Sequence, residues 1–226
     1  MIFASCDDRF FEKFAIPFCS SCSQNGFDVH INIINPTMSS HMISRYIKNA
    51  CKTRITFSSE RINIDGLNTL QKKSLYACSR FLLLPEMIRS AKKVVVLDID
   101  SLVVNRFEFP TKSVGFFPRF EEKMMSKKVA AGVTYFTEKS LPLAKVVSKN
   151  IKRQISQKGY YWGMDQRAMY HAFKEVDLSE SHIFDNTFMD WEFSDDTFVW
   201  TGKGPRKWNN EKYLKKIDYF ISSINK

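Results

Sequence analysis

The sequence lacks the features that mark several classes of protein. Its five cysteines are odd in number and scattered, so they do not form the disulfide framework of a small secreted protein. No apolar run approaches the roughly 20 residues that a membrane-spanning helix needs. No basic segment followed by an apolar core opens the chain, and no repeat, low-complexity tract or linker divides it. We therefore expect a single globular domain over residues 1–226, located in the cytoplasm with reduced thiols.

Two of the cysteines, Cys19 and Cys22, form a lone Cys-x-x-Cys inside a predicted helix. A zinc site would need a second cysteine pair at matching spacing, and the surroundings of a redox pair are also missing. We interpret both thiols as buried helix residues.

The charge of the chain is unbalanced, with 34 Lys and Arg against 24 Asp and Glu and a formal net charge of +10. Such an excess favours anionic partners, among them nucleotides, phosphorylated lipids, acidic glycans and nucleic acid. A solvated basic surface explains the same excess. The chain contains no nucleic-acid recognition motif, so we expect no nucleic-acid partner.

Short β-branched runs alternate with longer stretches of helical periodicity. Strands are predicted at Ile2–Ser5, Val29–Ile34, Ile55–Phe57, Val94–Ile99, Val114–Phe117, Val133–Phe136 and Phe198–Thr201. Helices are predicted at Arg9–Asn25, kinked or split at Pro17, and at Leu75–Arg89, Leu141–Gln157, Asp165–Phe173 and Asn210–Ile224. The alternation predicts an α/β fold with a mostly parallel sheet, in which ligands bind beyond the carboxyl ends of the strands.

The last predicted helix lies in an amphipathic, basic segment, residues 210–226. Its predicted apolar face consists of Leu214, Ile217, Ile221 and Ile224, and its opposite face carries Lys212, Lys215 and Lys216. The apolar face either packs on the domain or contacts an anionic membrane.

Asp98 and Asp100 end the most apolar of the predicted strands. Because side chains alternate along a strand, the two carboxylates would point to one side and Ile99 to the other. Two close carboxylates repel each other unless a cation lies between them, and hard oxygen ligands suit Mg²⁺ or Mn²⁺. A divalent ion held there would neutralise the charge that develops on a diphosphate leaving group. The alternative interpretation is a pair of exposed acids that cap a turn.

A glycine-containing segment follows the last predicted strand. Gly202 allows the backbone to approach a phosphate, and Lys203 offers a cation to it. A loop of this kind could close over a bound ligand and exclude water.

Together these segments resemble glycosyltransferases of the GT-A fold, nearest to the retaining glycogenin-like and lipopolysaccharide galactosyltransferase-like group. The resemblance covers residues 1–208 and is carried by Phe3–Asp8, Tyr76–Glu86, Val94–Asp100, Ala131–Val133, Gly163–Gln166 and Trp200–Trp208. It implies a Rossmann-like GT-A sheet flanked by helices. It also implies metal-dependent transfer of a sugar from a UDP-sugar to a hydroxyl of a glycan, lipid-linked or protein-linked acceptor, with retention.

The resemblance also assigns roles to particular residues. The first strand and turn would hold uracil and ribose, and Arg80 would face the donor. Asp165 would bind hydroxyls of the donor sugar, and Gln166 would lie below the reacting centre. The donor-binding residues implied are Ala4, Ser5, Cys6, Asp7, Arg80, Asp98, Ile99, Asp100, Gly202 and Lys203. The metal ligands implied are Asp98 and Asp100, with Thr201 as a candidate ligand in place of the usual histidine.

The chain departs from the family pattern at two positions. Thr201 stands where the family has a histidine that ligates the metal, and Ala130 stands where it has an asparagine. These departures leave open a degenerate relative that binds nucleotides or glycans without turnover. A nucleotidyltransferase is the rival enzyme, although Ser5–Asp8 is not the glycine-rich loop that it would show.

The acceptor side is less defined by the sequence. The aromatic run Tyr160–Trp162 either forms a platform for an acceptor sugar or belongs to the core. The absence of a Golgi-type anchor and the short chain lead us to expect a bacterial or viral enzyme.

Overall fold

The computed structural model describes residues 1–174 and 176–224, so the end of the predicted segment 210–226 lies outside the described residues. The strands are β1 (Ile2–Asp7), β2 (Val29–Ile34), β3 (Ile55–Glu60), β4 (Lys93–Leu97), β5 (Ser101–Val103), β6 (Val114–Pro118), β7 (Val129–Thr137), β8 (Ser181–Ile183), β9 (Met189–Asp190) and β10 (Val199–Thr201). The helices are α1 (Asp8–Gln24), α2 (Met38–Ala50), α3 (Thr69–Ala91), α4 (Leu141–Lys158), α5 (Met164–Phe173), α6 (Arg206–Asn209) and α7 (Glu211–Ser223).

Seven strands form the main sheet in the order β3-β2-β1-β4-β7-β6-β8. Strands β1, β2 and β3 run parallel, and β6 runs parallel to β8 but antiparallel to β7. A second sheet has the order β5-β10-β9. The predicted α/β class with a mostly parallel sheet is confirmed.

The chain falls into two compact units, and each is described by itself. The first unit comprises Met1–Arg61, Leu97–Glu108 and the chain from Asp185 onward, and the second comprises Ile62–Val96 and Phe109–Phe184. Neither unit is a continuous stretch of sequence. That the whole chain behaves as one domain stays a prediction.

In the first unit, α1 is the central helix. Its N-terminus is capped by Asp7, whose carboxylate accepts a hydrogen bond from the Phe10 backbone N–H at 3.0 Å. The helix packs against β1, β2 and α7, and it buries Phe11, Phe14 and Phe18 almost completely. Each of these rings stabilises the unit by roughly 1.5–3 kcal/mol.

In the second unit, the helices α3, α4 and α5 pack on one another and the last two also pack on β7. Phe116 of β6 stacks on Phe173 of α5, with ring centroids 4.4 Å apart and an interplanar angle of 9°. The pairing of β6 with β7 shifts register between Phe116 and Phe117, which is a bulge of the kind that bends a strand.

Three details of the predicted elements are wrong. Helix α1 is not split at Pro17, since buried neighbours such as Phe14 and Phe18 hold it as one helix, whereas a kink at Pro17 stays a prediction. Strand β4 ends at Leu97, because the Ser101 N–H donates to the Asp98 carbonyl at 3.0 Å and closes a turn over Asp98–Ser101. The two aspartates therefore lie in a turn, and strand alternation does not set their directions.

The third error concerns the buried face of α7. The helix buries Tyr213, Ile217 and Phe220, whereas Ile221 is 42% exposed. Ile217 and Ile224 of the predicted face are buried, and Tyr213 and Phe220, each one position before a predicted residue, complete the packed face. None of the helices within residues 1–174 and 176–224 is long and apolar enough to cross a membrane.

Candidate functional site

The turn after β4 holds Asp100 in a dense set of contacts within the first unit. The carboxylate of Asp100 is buried and forms an ion pair with the ammonium of Lys207. Its backbone carbonyl accepts two further hydrogen bonds, from the Gly202 N–H at 3.0 Å and from the Tyr213 hydroxyl at 2.5 Å. The turn is therefore fixed by three segments that are distant in sequence.

The small sheet brings these segments together. Strand β10 pairs antiparallel with β5, so that Thr201 lies opposite Ser101, the residue after Asp100. Gly202 follows at once, and a Cβ atom on it would lie 2.7 Å from the Lys207 Cβ and 2.9 Å from the Tyr213 hydroxyl oxygen. Position 202 accepts only glycine, because no side chain fits between these neighbours.

The sequence suggested Lys203 as the cation for a phosphate, and the structure places a second lysine, Lys207, beside Asp100. The Lys203 ammonium lies 4.0 Å from the centre of the Trp191 ring, while Lys207 is the lysine bound to Asp100. Sequence reasoning missed Lys207 because both lysines belong to one basic, glycine-containing segment, and spacing alone does not choose between them. That Lys203 binds phosphate stays a prediction.

Strand β1 and the turn that follows it form the second part of the predicted donor site. Ala4 is fully buried, and the Ser5 hydroxyl accepts a hydrogen bond from the Asn32 amide at 3.2 Å. Burial raises the pKa of the Cys6 thiol well above its usual value, and the charges of Asp7, Asp8 and Asp100 raise it further. Cys6 is thus a buried thiol close to three carboxylates.

Asp7 is half-buried, and burial is the main cause that raises the pKa of its carboxyl. The hydrogen bond that this carboxylate accepts from the Phe10 N–H lowers its pKa. One oxygen of Asp7 caps α1, and the role in nucleotide binding stays a prediction.

The second unit holds the residues predicted to surround the sugar. The guanidinium of Arg80 on α3 is 3.5 Å from the carboxylate of Asp165 on α5, and both side chains are buried. Removing one partner of such a pair leaves an uncompensated buried charge, which destabilises the fold by about 3–5 kcal/mol. Arg119 donates to the side-chain oxygen of Gln166 at 3.5 Å. The structure thus pairs each of the two predicted catalytic side chains with an arginine.

The start of α5 is shaped by Gly163, whose φ is +76°. A Cβ atom on Gly163 would lie 2.8 Å from the Ser126 Cβ, so the loop between β6 and β7 packs directly on this glycine. In the preceding aromatic run, the Tyr161 hydroxyl bonds to Gln154, whereas Trp162 is 60% exposed.

The residues of the turn fit a divalent ion through oxygen donors alone. Asp98 is half-buried, and the buried carboxylate of Asp100 already holds a cation in the form of the Lys207 ammonium. The nearby Ser101 hydroxyl is buried without a hydrogen-bond partner among the described residues. Over residues 1–174 and 176–224, no group of three or more His, Cys, Asp or Glu side chains could hold a metal ion. A metal bound at this turn would therefore take further ligands from its substrate.

The cysteines are all free thiols, and four of the five are buried. Burial raises the pKa of the Cys19 and Cys22 thiols well above the normal value. The interpretation of this pair as buried helix residues is confirmed.

The comparisons with known proteins concern the fold. No protein-family model matches the chain, and no curated protein matches its sequence. The glycosyltransferase GlyE of Streptococcus pneumoniae TIGR4 superposes with a TM-score of 0.68 at 12% identity, over 99% of this chain and 61% of GlyE. The bifunctional glycosyltransferase WbbM superposes with a TM-score of 0.66 at 13% identity, over 98% of this chain and 49% of WbbM.

The galactosyltransferase LgtC, in complex with donor and acceptor sugar analogues, superposes with a TM-score of 0.61 at 15% identity. That match covers 96% of this chain and 95% of LgtC. The chain thus spans about half of WbbM and three fifths of GlyE, but nearly all of LgtC. At these identities the likeness shows the fold alone, and the chain has the GT-A glycosyltransferase fold.

Proposed function

We propose that the protein is a glycosyltransferase that uses a nucleotide-diphosphate sugar, most simply a UDP-sugar. The observation that carries the proposal is the turn at Asp100 on a GT-A fold, where a buried carboxylate is fixed beside the Lys207 ammonium. Carboxylate and ammonium in one place suit a diphosphate and its counter-ion. The fold by itself does not carry the proposal, since one fold hosts many functions.

In the proposed site, Lys207 neutralises phosphate oxygens of the leaving nucleotide. An ammonium that is already held beside Asp100 needs only a small change of partner to reach a phosphate at the same turn. Asp98 and Asp100 would hold Mn²⁺ or Mg²⁺, which supplies Lewis-acid stabilisation of the diphosphate when it is bound. The missing side chain of Gly202 lets Lys207 and Tyr213 lie close to the turn at Asp100, because they occupy the space that a Cβ would fill.

Asp165 and Gln166 act on the donor sugar in this proposal. Arg80 keeps Asp165 in a fixed direction, and Arg119 does the same for Gln166. A fixed carboxylate accepts hydrogen bonds from sugar hydroxyls, and a fixed amide orients the reacting centre. Retention, and an acceptor that is a glycan or a lipid-linked or protein-linked glycan, follow from the resemblance.

The experiment is donor turnover with Mn²⁺ over a panel of UDP- and GDP-sugars, for the wild type and for Asp98→Ala and Asp100→Ala. Each variant is expected to lose about a hundredfold or more in turnover. Asp195→Ala is the matched control, because Asp195 is an exposed acid of the same unit that pairs with Lys212 at 2.9 Å. Full metal-dependent turnover by both site variants would show that the site is placed wrongly.

A second candidate is a relative that binds nucleotides without turnover. The observation that favours it is Thr201, which is buried in the β5–β10 ladder and stands where the resemblance leads us to expect a histidine. Calorimetric binding of UDP without hydrolysis or transfer, over a broad set of acceptors, would support this candidate over the enzyme.

A further inference from the structure

The loop between β6 and β7 exposes large apolar side chains. Phe120, Met124 and Met125 are 37%, 58% and 44% exposed. The loop is nevertheless well held, because the Arg119 N–H donates to the Lys128 carbonyl at 2.8 Å across its base. Inside it, a turn brings the Lys127 N–H to the Met124 carbonyl at 2.8 Å. The apolar groups therefore stand on an ordered loop.

Two further exposed apolar residues lie on segments that are connected to this loop by contacts of their neighbours. Ser126 packs on Gly163, the residue that follows the exposed Trp162. The Ser74 hydroxyl of α3 donates to the Tyr161 carbonyl at 2.6 Å, and Leu70, 57% exposed, lies one helical turn before Ser74 on the same face. We call this surface of the second unit the hairpin patch, and it consists of Leu70, Phe120, Met124, Met125 and Trp162.

The hairpin patch carries positive charge. Residues 119–128 contain four basic and two acidic side chains, and Lys123 and Lys127 are exposed beside the two methionines. The Lys128 ammonium instead bonds to the Phe120 carbonyl at 2.7 Å and supports the loop from within. The chain as a whole is also basic, with a net charge of +10.

The chemistry of the hairpin patch indicates the kind of partner that it binds. A sugar is recognised by flat aromatic faces and hydrogen-bonding groups, and methionine and leucine offer neither. Exposed apolar groups rimmed by lysines instead suit the boundary of a bilayer, where tryptophan is enriched and anionic headgroups attract lysine. We propose that the hairpin patch docks the protein on an anionic lipid surface.

Helix α7 is the less suitable candidate for this contact. It buries Tyr213, Ile217 and Phe220 in the first unit. Two of its lysines already have acidic partners, since Lys212 lies 2.9 Å from Asp195 and Lys215 lies 2.6 Å from Glu211. The basic helix that the sequence suggested thus has its apolar face packed, while the hairpin patch has its apolar groups exposed.

The test is co-sedimentation of the full chain with vesicles of phosphatidylcholine, alone or mixed with phosphatidylglycerol. Wild-type protein is expected to bind the mixed vesicles and to bind the neutral ones at least about tenfold more weakly. Met124→Ser with Met125→Ser, and separately Lys123→Glu with Lys127→Glu, should each weaken binding to the mixed vesicles about tenfold or more.

The control is Met38→Ser with Met42→Ser on α2, a methionine pair of the first unit that is even more exposed, at 75% and 68%. This variant should bind as the wild type does. The proposal is overturned if the wild type binds neither vesicle type, or if it binds both with equal affinity. It is equally overturned if only the α2 variant loses binding to the mixed vesicles. It is also overturned if the hairpin variants abolish self-association in sedimentation analysis without affecting vesicles, since the partner would then be a second copy. Docking does not depend on sugar transfer, so donor turnover without added lipid tests the proposed function separately.

Discussion

Two lysines of one short segment lie in different surroundings, and this difference can be measured. Lys207 pairs with Asp100, whereas Lys203 lies over the Trp191 ring. A charge-assisted hydrogen bond to phosphate contributes about 1.5–3 kcal/mol, or roughly 10–100-fold in affinity. We therefore expect Lys207→Met to weaken UDP binding in the presence of Mn²⁺ by that factor, measured by calorimetry. Lys203→Met, the matched control, should change it by less than about threefold. The reverse order would restore Lys203 as the phosphate-binding lysine.

At Gly202 the limit is space and not backbone conformation. An added Cβ would lie 2.7 Å from the Lys207 Cβ and 2.9 Å from the Tyr213 hydroxyl oxygen. Overpacking of this kind costs about 1–3 kcal/mol. At roughly 2–4 °C per kcal/mol for a chain of this length, Gly202→Ala should lower Tm by about 2–12 °C.

The comparison variant for this prediction is Gly204→Ala. Gly204 has a φ of +62° and open space around its Cβ position, so alanine there meets backbone strain alone. If the overpacking explanation is right, Gly202→Ala lowers UDP affinity as well as Tm, and Gly204→Ala lowers only Tm. Unchanged stability in Gly202→Ala would contradict the packing described at this position.

At the scale of elements, α7 offers a matched pair of isoleucines one helical turn apart. Ile217 is 7% exposed and Ile221 is 42% exposed. Truncating a buried isoleucine to alanine costs about 2–5 kcal/mol, whereas an exposed one costs less than about 0.5 kcal/mol. Ile217→Ala should therefore lower Tm by roughly 4–20 °C, and Ile221→Ala by about 2 °C or less. Equal effects in thermal denaturation would mean that the face predicted from the sequence is the packed one.

The elements show what sequence patterns can and cannot provide. The β-branched runs of β2 and β4 and the periodicity of α4 are local signals, and the structure places these elements within a few residues of the prediction. The buried face of α7 was predicted at Ile217 and Ile224 but not at Tyr213 and Phe220, because aliphatic and aromatic residues offer two overlapping stripes and packing on α1 selects between them. Helix α2 was not predicted, and it buries only Ser40 and Ile47.

In the candidate site, too, the signals within one segment were predictable and the contacts between distant segments were not. Asp98 and Asp100 are visible as a pair in the sequence, but the bonds that fix Asp100 come from Gly202, Lys207 and Tyr213, about 100 positions later. The pairing of Arg80 with Asp165 likewise joins two segments that no local pattern connects. The sequence therefore identified these residues as candidates, and the contacts between them required the fold.

For the whole molecule, the state of Asp100 predicts that metal and nucleotide stabilise the protein together. Without ligands the carboxylate is neutralised by Lys207, and no described group of three His, Cys, Asp or Glu side chains is ready for a metal. Mn²⁺ alone must displace the ammonium and gains few ligands, whereas a diphosphate offers Lys207 a new partner and the metal new oxygens. Each ligand alone should therefore shift Tm by about 2 °C or less.

Both ligands together, at about 100 times the joint dissociation constant, contribute about 2.7 kcal/mol. That stabilisation corresponds to a rise in Tm of roughly 5–11 °C for a chain of this length. Differential scanning calorimetry with Mn²⁺, UDP, both, and both in Asp100→Asn measures the four cases, and the variant should lose most of the joint shift. A shift with Mn²⁺ alone as large as that with both would show a preformed cation site, in which Lys207 does not compete for Asp100.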